Sequence, residues 1–274
     1  MFILADIGGT KTRIAGSADL ESFGEPIIFP TPQKYEEGVA SIAEHVGDIV
    51  ARAPIEAIAV GVPAMLSRDR RSIVSDALHI PDWHGKSLAS DIERALSAKV
   101  VLENDTALVG LGEALHGAGR NAPIVMYMTV STGVNGARII DGVIDRTAFG
   151  FATGRQYVSM GDEPTSWSDL ISGSAISKKF GVLSPRELGK DHPLWEELAR
   201  IAAFGVCNGI VHWSPDRVVL GGSMFNEIGI AVERVEFHLQ ILLKDFLLPE
   251  LVHSDLGDLG GLWGGLALLK QLHP

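Results

Sequence analysis

The chain has 274 residues, of which 46% are hydrophobic and 21% are charged, as in soluble globular proteins that bury a sizeable core. Its formal net charge of −11 disfavours nucleic acid and anionic lipid as partners. The single cysteine, Cys207, excludes an intrachain disulfide and favours a reducing compartment, most simply the cytoplasm. No apolar run reaches the roughly 20 residues of a membrane-spanning helix.

Apolar strands and amphipathic helices alternate along the sequence. The short apolar runs predict strands at residues 2–6, 12–18, 55–62, 100–102, 124–130, 138–143 and 217–220. Helical spacing of apolar residues predicts helices at residues 34–53, 87–97, 106–116, 168–180, 193–213, 226–247 and 260–272.

One arrangement occurs twice. Residues 1–18 and residues 125–143 each consist of an apolar strand, a glycine turn and a second strand. A duplication of this kind predicts two related halves that face a shared cleft.

The first glycine turn carries the strongest chemical signal, in the sequence Asp6-Ile7-Gly8-Gly9-Thr10-Lys11-Thr12. Two glycines allow a polyphosphate to approach the backbone N–H groups, and the hydroxyls of Thr10 and Thr12 could add donors. The carboxylate of Asp6 could hold Mg²⁺ directly or through water. A plain hairpin turn is the alternative interpretation of the Gly-Gly pair.

Two further glycine motifs follow apolar strands. Residues 131–136, with the sequence Ser-Thr-Gly-Val-Asn-Gly, could clamp the phosphates from the second half, although the motif alone also fits a hairpin. The pair Gly221 and Gly222 could let a base or ribose lie flat against the backbone. Close packing between a strand and a helix explains that pair equally well.

The sequence Glu103-Asn104-Asp105 stands at the end of an apolar strand, where α/β folds place ligand-binding groups. A carboxylate there could take the proton from an attacking hydroxyl, and Asn104 could orient the acceptor. Alternatively, Asn104 or Asp105 simply caps the following helix.

Taken together, the motifs resemble those of the ROK kinases, in the actin/hexokinase-like superfamily. The resemblance spans nearly the whole chain and rests on the segments 6–16, 61–66, 78–83, 103–114, 131–142, 172–176 and 215–223. It implies an α/β protein with a two-lobed, actin-like ATPase (ribonuclease H-like) fold, in which mixed sheets are flanked by helices. The expected N-terminal lobe comprises residues 1–112 plus 258–274, and the C-terminal lobe comprises residues 113–257.

The resemblance also implies roles for individual residues, with ATP and Mg²⁺ as cofactors and Asp105 as the catalytic base. The metal-facing residue would be Asp6, and the nucleotide would contact Gly8, Gly9, Thr10, Lys11, Thr132, Gly133, Gly221 and Gly222. The acceptor would contact Ala64, His79, Asn104, Asp105 and Arg155. Family members commonly form dimers through the second lobe, so a homodimer is expected.

The acceptor side departs from the family pattern. Ala152 stands where a sugar-binding glutamate is expected, Arg155 stands where a histidine is expected, and the region of the zinc loop contains no cysteine, so no zinc site is predicted. Because a guanidinium suits carboxylate or phosphate, the acceptor could be anionic or otherwise unlike a plain hexose. Alternatively, Arg155 orders the loop by bonding local carbonyl groups.

The resulting expectation is an ATP-dependent, glucokinase-like sugar kinase that transfers the γ-phosphoryl group to a hydroxyl of a sugar or sugar derivative. Two alternatives stay open. The lost acceptor residues also fit a nucleotide- or sugar-binding protein without transfer activity. The second alternative is an acetate-kinase-like or phosphatase-like member of the superfamily.

Overall fold

The structure, a computed structural model, describes residues 1–51, 53–75, 80–159 and 163–273. His79, predicted to contact the acceptor, lies outside the described residues. The chain divides into two compact units, which are described in turn. The first comprises Met1–Gly112, Arg146–Gly150 and Asp258–Pro274, and the second comprises Glu113–Asp145 and Phe151–Gly257.

The first unit is built on a five-stranded mixed sheet with the strand order β3-β2-β1-β4-β7. Its strands are β1 (Phe2–Ile7), β2 (Lys11–Ser17), β3 (Ile27–Pro30), β4 (Ala57–Val62), the short pair β5 (Met65–Leu66) and β6 (Ile73–Ser75), and β7 (Lys99–Asn104). Its helices are α1 (Tyr35–Val50), α2 (Leu88–Leu96), α3 (Asp105–His116), which continues into the second unit, and α8 (Gly260–Leu272). The strands β1, β4 and β7 run parallel to one another, and β2 pairs antiparallel with both β1 and β3.

The central strands β1 and β4 are buried along their whole length because helices cover both faces of the sheet. Alternate residues of β1 point to opposite faces. Ile3 and Ile7 belong to a core shared with α1 and α2, whereas Leu4 packs with Leu262 and Leu266 of α8. Because both faces of the sheet are covered in this three-layer packing, the sequence of β1 is apolar almost throughout.

The second unit contains a five-stranded mixed sheet with the order β10-β9-β8-β13-β14. Its strands are β8 (Ile124–Val130), β9 (Val134–Ile140), β10 (Val143–Ile144), the pair β11 (Tyr157–Ser159) and β12 (Thr165–Ser166), β13 (Arg217–Gly221) and β14 (Glu250–His253). Its further helices are α4 (Trp167–Ile171), α5 (Gly173–Phe180), α6 (Leu194–Trp213) and α7 (Val232–Leu243). The core lies between β8, β13 and the helices α6 and α7.

Both sheets share one topology, in which three antiparallel strands are followed by two parallel ones. The predicted α/β class with mixed sheets flanked by helices is confirmed. The predicted duplication of a strand–turn–strand unit is also confirmed, and it extends to all five strands.

Several predicted boundaries are wrong. The helix predicted at 168–180 is two helices, because Ser172 adopts extended backbone and its hydroxyl accepts a bond from Ala175 N–H at the start of α5. The helix predicted at 226–247 begins only at Val232, after the extended backbone of Ala231, and ends at Leu243. The strand predicted at 138–143 begins at Val134.

One short segment belongs to a different unit from the one predicted. The residues Arg146–Gly150 were expected in the second lobe but belong to the first unit. There, Thr147 accepts a hydrogen bond from Arg70, and the Phe149 ring lies under the guanidinium of Arg68. Along the described ranges, no helix is long and apolar enough to cross a membrane.

Candidate functional site

The parallel strands of the first unit bring polar residues to one edge of its sheet. Asp6 of β1 pairs with Gly61 of β4, which in turn pairs with Glu103 of β7. Because the carboxyl ends of parallel strands meet at the same edge, Asp6, Asn104 and Asp105 lie together there. The structure thus brings together the two residues for which the roles of metal-facing group and base were predicted.

The Asp6 carboxylate lies against Gly61 and Gly261, and only Gly261 must lack a side chain for the carboxylate to fit. A Cβ atom at Gly261 of α8 would lie 2.5 Å from Asp6 Cγ, and one at Gly61 would lie 3.5 Å from both Asp6 Oδ1 and Asp105 Cα. Asp6 itself is only 9% exposed. The sequence analysis assigned no role to either glycine, yet the position of Gly261 has no room for a side chain.

The charge of Asp6 is balanced by a residue that sequence reasoning missed. Arg13 of β2 lies directly opposite Asp6 in the antiparallel pair, with Nη1 3.9 Å from Asp6 Oδ2, and its Nη2 lies 2.8 Å from Asp258 Oδ2. Burial and the neighbouring Asp105 raise the pKa of Asp6 to about 7, although Arg13 opposes the rise. The hairpin register could have identified Arg13, because it pairs the two residues.

Asp105 is the first residue of α3 and is only partly exposed. Its Oδ1 accepts bonds from Thr106 N–H at 2.7 Å, from the Thr106 hydroxyl at 3.3 Å and from Asn104 Nδ2 at 3.1 Å, and none of these bonds involves Oδ2. Burial raises the pKa of Asp105 to about 6, and these hydrogen bonds limit the rise. One carboxylate oxygen is therefore fixed by the protein, and the carboxyl group is a stronger base than an ordinary aspartate.

Asn104 supplies the helix cap that the sequence left as an alternative. Its Oδ1 accepts a bond from Ala107 N–H at 3.2 Å, the geometry of an N-cap. Its Nδ2 donates to the carbonyl oxygens of Val62 and Ala64, each at 3.4 Å, as well as to Asp105. The side chain of Ala64 is buried in the core, so only its backbone borders this edge.

Glu103 differs from Asp105 in having a cationic side chain as a direct partner. Its carboxylate forms an ion pair with Arg70 and accepts a bond from Asn104 N–H at 2.8 Å. Burial raises the pKa of Glu103, and Arg70 opposes that rise. The contacts assign Glu103 to holding the Asn104 backbone and leave Asp105 as the better candidate for a base.

The first glycine loop is held by a hydrogen bond from Thr31, the residue after β3. Gly8 N–H donates to Lys11 O at 2.9 Å, and the Thr31 hydroxyl donates to Gly8 O at 2.8 Å. Thr12 is buried and bonds Thr31 at 2.9 Å, so its hydroxyl is part of this support rather than a phosphate donor. Thr10 and Lys11 are exposed.

The second glycine loop, Ser131 to Gly133, lies against the start of α5 in the second unit. Gly173 N–H donates to Ser131 O at 2.7 Å, and the hydroxyls of Ser131 and Ser223 lie 3.1 Å apart. Thr132 is exposed. The loop and the residue that follows Gly222 are therefore neighbours, as two parts of one nucleotide site would be.

Close packing within the second unit accounts for Gly221 and Gly222. Gly222 has φ +93°, and a Cβ there would lie 2.4 Å from Val130 O. At Gly221 a Cβ would lie 2.7 Å from the Tyr127 hydroxyl. The glycine pair is required by its protein neighbours, whatever it binds.

The segment that departs from the family pattern is also in the second unit. Ala152 and Arg155 are exposed, and Arg155 N–H donates to Ala152 O at 3.0 Å across the short helical turn Thr153–Arg155. Within the part of the chain that the structure describes, no group of three or more His, Cys, Asp or Glu residues is arranged to hold a metal ion.

Comparisons with known proteins identify the family of the chain. A family model described as "ROK family" matches residues 3–272. The N-acetyl-D-glucosamine kinase of Vibrio parahaemolyticus is 32% identical to the chain, over 98% of this chain and 99% of that protein.

Two solved structures have a similar fold. The ROK hexokinase from Thermus thermophilus has a TM-score of 0.85 and 25% identity, covering 100% of this chain and 99% of its own. A ROK family glucokinase from Streptomyces griseus, in complex with glucose and AMPPNP, has a TM-score of 0.82 and 24% identity, covering 98% and 99% of the two chains. These similarities confirm the fold predicted for the chain.

Proposed function

The chain belongs to the ROK family, and from this membership we propose that it is an ATP-dependent kinase that phosphorylates a hydroxyl group of a sugar or sugar derivative. Relatives that cover nearly its whole length carry the names of sugar kinases. The observation that carries the proposal is Asp105, a part-buried carboxylate with a raised pKa that stands beside Asp6 at the edge of the sheet.

Asp105 is proposed to accept the proton of the attacking hydroxyl. A general base works best when its pKa lies near the working pH, and a pKa of about 6 leaves the carboxylate ionised at neutral pH. The three donors on Oδ1 fix the orientation of the carboxyl group. The other oxygen is then the atom that takes the proton.

The residues at the sheet edge fit a magnesium ion. Asp6 is a hard oxygen ligand, and the repulsion between its carboxylate and that of Asp105 would be relieved by a cation. Because Mg²⁺ commonly uses one or two carboxylates and completes its shell with phosphates and waters, Asp6 alone would suffice as the protein ligand. The ion would neutralise charge on the transferring phosphates.

The nucleotide is proposed to contact both glycine loops. In the first loop, Gly8, Gly9, Thr10 and Lys11 would contact the phosphates, and in the second loop Thr132 and Gly133 would contact them. Gly221 and Gly222 would border the adenosine. The exposure of Thr10 and Thr132 supports these assignments.

For the acceptor, we propose a sugar that carries an anionic group. Alanine at position 152 cannot accept hydrogen bonds from sugar hydroxyls through its side chain, whereas the exposed Arg155 offers a guanidinium suited to a carboxylate or phosphate. If Arg155 instead only orders its own loop, plain hexoses will be turned over as well as acidic ones.

Measurement of ADP release over a panel of acceptors tests these proposals. The panel comprises neutral hexoses, N-acetylated amino sugars and acidic sugars, with acetyl phosphate and ADP as a separate arm for acyl-phosphate chemistry. Acceptor-dependent ADP release is expected, with acidic sugars turned over best. Release that no acceptor stimulates would indicate a binding protein without transfer activity.

The role of Asp105 is tested by Asp105→Asn, with Asp245→Asn on an exposed turn as the matched control. Loss of a general base lowers turnover by about 100-fold or more, while ATP binding stays within about twofold of the parent. Turnover by Asp105→Asn equal to that of Asp245→Asn would reject Asp105 as the base.

A further inference from the structure

Arg70 occupies an unfavourable backbone conformation in the turn between β5 and β6. Its φ is +55°, in the left-handed region, and its N–H donates to Ser67 O at 2.8 Å. A side chain other than glycine costs about 1 kcal/mol in this region. The turn therefore places an arginine side chain where glycine or asparagine would be less strained, and its contacts show what that side chain holds.

The guanidinium of Arg70 joins two segments of the first unit. Nη1 forms the ion pair with Oε1 of the buried Glu103, and Nη2 donates to the Thr147 hydroxyl at 3.1 Å. The side chain of Arg70 is 25% exposed, and that of Glu103 is 12% exposed. A planar fork with several donors can hold both partners at once, which the ammonium of lysine cannot do in the same geometry.

On one side, the contacts continue to the proposed base. The Glu103 oxygen that meets Arg70 also accepts the bond from Asn104 N–H, and Asn104 both caps α3 and donates to Asp105 Oδ1. Burial alone would favour the protonated form of Glu103, and Arg70 counteracts it. Arg70 thus supports the peptide that carries Asp105.

On the other side, the contacts reach the chain that enters the altered acceptor segment. Thr147 lies within Arg146–Gly150, which packs in the first unit and runs directly into residues 151–155. A second arginine, Arg68, lies over the Phe149 ring at 5.6 Å. Two arginines from one turn therefore fix the segment immediately before Ala152.

We propose that Arg70 is a positioning residue for the kinase, which holds the Asn104–Asp105 peptide through Glu103 and the start of the acceptor segment through Thr147. The proposal rests on the function proposed above. Because the two contacts use different nitrogens, the two effects are separable. Loss of the Glu103 contact should reduce kcat, and loss of the Thr147 contact should raise the KM for the acceptor.

Arg71 provides a matched control on the same turn. Its guanidinium forms an ion pair with Glu93 and donates to Ser90 at 3.2 Å, so it ties the turn to α2 rather than to Asp105. Removal of either arginine deletes one part-buried ion pair. Only the removal of Arg70 disturbs the peptide of the base.

The kinetic experiment compares Arg70→Met, Arg70→Lys, Glu103→Gln, Thr147→Val and Arg71→Met, each with an acceptor that the parent phosphorylates. Arg70→Met is expected to lower kcat about 10-fold and to raise the acceptor KM several-fold, with an unchanged KM for ATP. Glu103→Gln should reproduce the loss in kcat, and Thr147→Val the rise in acceptor KM. Arg70→Lys should recover only part of the activity, and Arg71→Met should change stability alone.

A second measurement does not depend on activity. Amide hydrogen exchange at Asn104 should be faster in Arg70→Met than in the parent and in Arg71→Met, because Glu103 is no longer held against that N–H. Identical exchange and identical kinetics in Arg70→Met and Arg71→Met would overturn the proposal. A parent without any transfer activity would reject the proposed kinase, while exchange would still decide whether Arg70 positions the peptide.

Discussion

Asp6 and Arg13 face one another across the first hairpin, with Asp6 Oδ2 3.9 Å from Arg13 Nη1. The cation is too distant, and too strongly engaged by Asp258 at 2.8 Å, to offset the burial of Asp6. The pKa of Asp6 therefore rises to about 7 despite the neighbouring guanidinium. Ionisation of Asp6 is therefore unfavourable near neutral pH, and a bound cation would favour it.

The first prediction concerns stability against pH. Because the pKa values of Asp6 and Asp105 are raised in the folded state, the folded protein binds more protons than the unfolded chain between about pH 4 and 7. Their contribution to the free energy of unfolding must fall as pH rises through that window. Asp6→Asn should therefore be more stable than the parent at pH 8, by about 1–3 kcal/mol, and similar to it near pH 4. Urea unfolding at the two pH values measures the difference.

Asp19 provides a control with the opposite sign. Its exposed carboxylate accepts a bond from Glu21 N–H at 2.9 Å, which lowers its pKa. Asp19→Asn should be less stable than the parent at pH 8, opposite in sign to Asp6→Asn, and this difference should vanish as the pH falls. A stability difference between Asp6→Asn and the parent that does not vary with pH would contradict the raised pKa.

The second prediction concerns the pH dependence of transfer. If Asp105 is the base, kcat/KM should rise with pH through about 6 to 7 and then level off, because the protonated carboxyl group cannot accept the proton. Thr106→Val removes a hydroxyl whose bond to Asp105 lowers that pKa. The rise should therefore move to higher pH in Thr106→Val and stay in place in Thr106→Ser. Rates that are flat between pH 5 and 8 would exclude Asp105 as the titrating group.

The sequence predicted the sheet strands that carry the site because their signals are local. The runs at residues 2–5 and 100–102 are apolar, and the residues that end them, Asp6 and Glu103, are polar. The cap at Asn104 was foreseen only as an alternative, since a capping side chain and a ligand-binding one have the same residue type. In the structure Asn104 caps the helix, because its Oδ1 accepts a bond from Ala107 N–H.

Residues that act through distant partners could not be predicted. Arg70 and Glu103 are 33 positions apart, and Thr31 meets Gly8 across 23 positions. Their association depends on the sheet order, which a pattern of apolar residues does not specify. The over-long helix predicted at 226–247 has a different cause, because its apolar residues continue beyond Leu243 without forming helix.

The third prediction tests whether the position of Asp6 matters. Gly261→Ala places a methyl group 2.5 Å from Asp6 Cγ, so the carboxylate must move. Transfer at saturating ATP should fall about 10-fold or more, and the Mg²⁺ concentration needed for half-maximal rate should rise. Gly47→Ala, with open space around it in α1, should be as active as the parent and about 0.5–1 kcal/mol more stable. Equal activity of the two variants would show that Asp6 need not stay where it is.

The fourth prediction concerns the support beneath the first glycine loop. The Thr31 hydroxyl donates to Gly8 O, so it accepts its second bond from Thr12, and Thr31→Val breaks both bonds without changing the shape of the side chain. Two buried hydrogen bonds contribute about 1–3 kcal/mol together, so some loss of stability accompanies the change. The specific expectation is a several-fold rise in the KM for ATP with little change in the KM for the acceptor, because the loop that is released is the one proposed to contact the nucleotide. Thr31→Ser restores the hydroxyl and should restore the KM for ATP, although it loses a methyl group. If Thr31→Ser and Thr31→Val raise the KM for ATP equally, packing of the methyl group rather than the bond to Gly8 holds the loop.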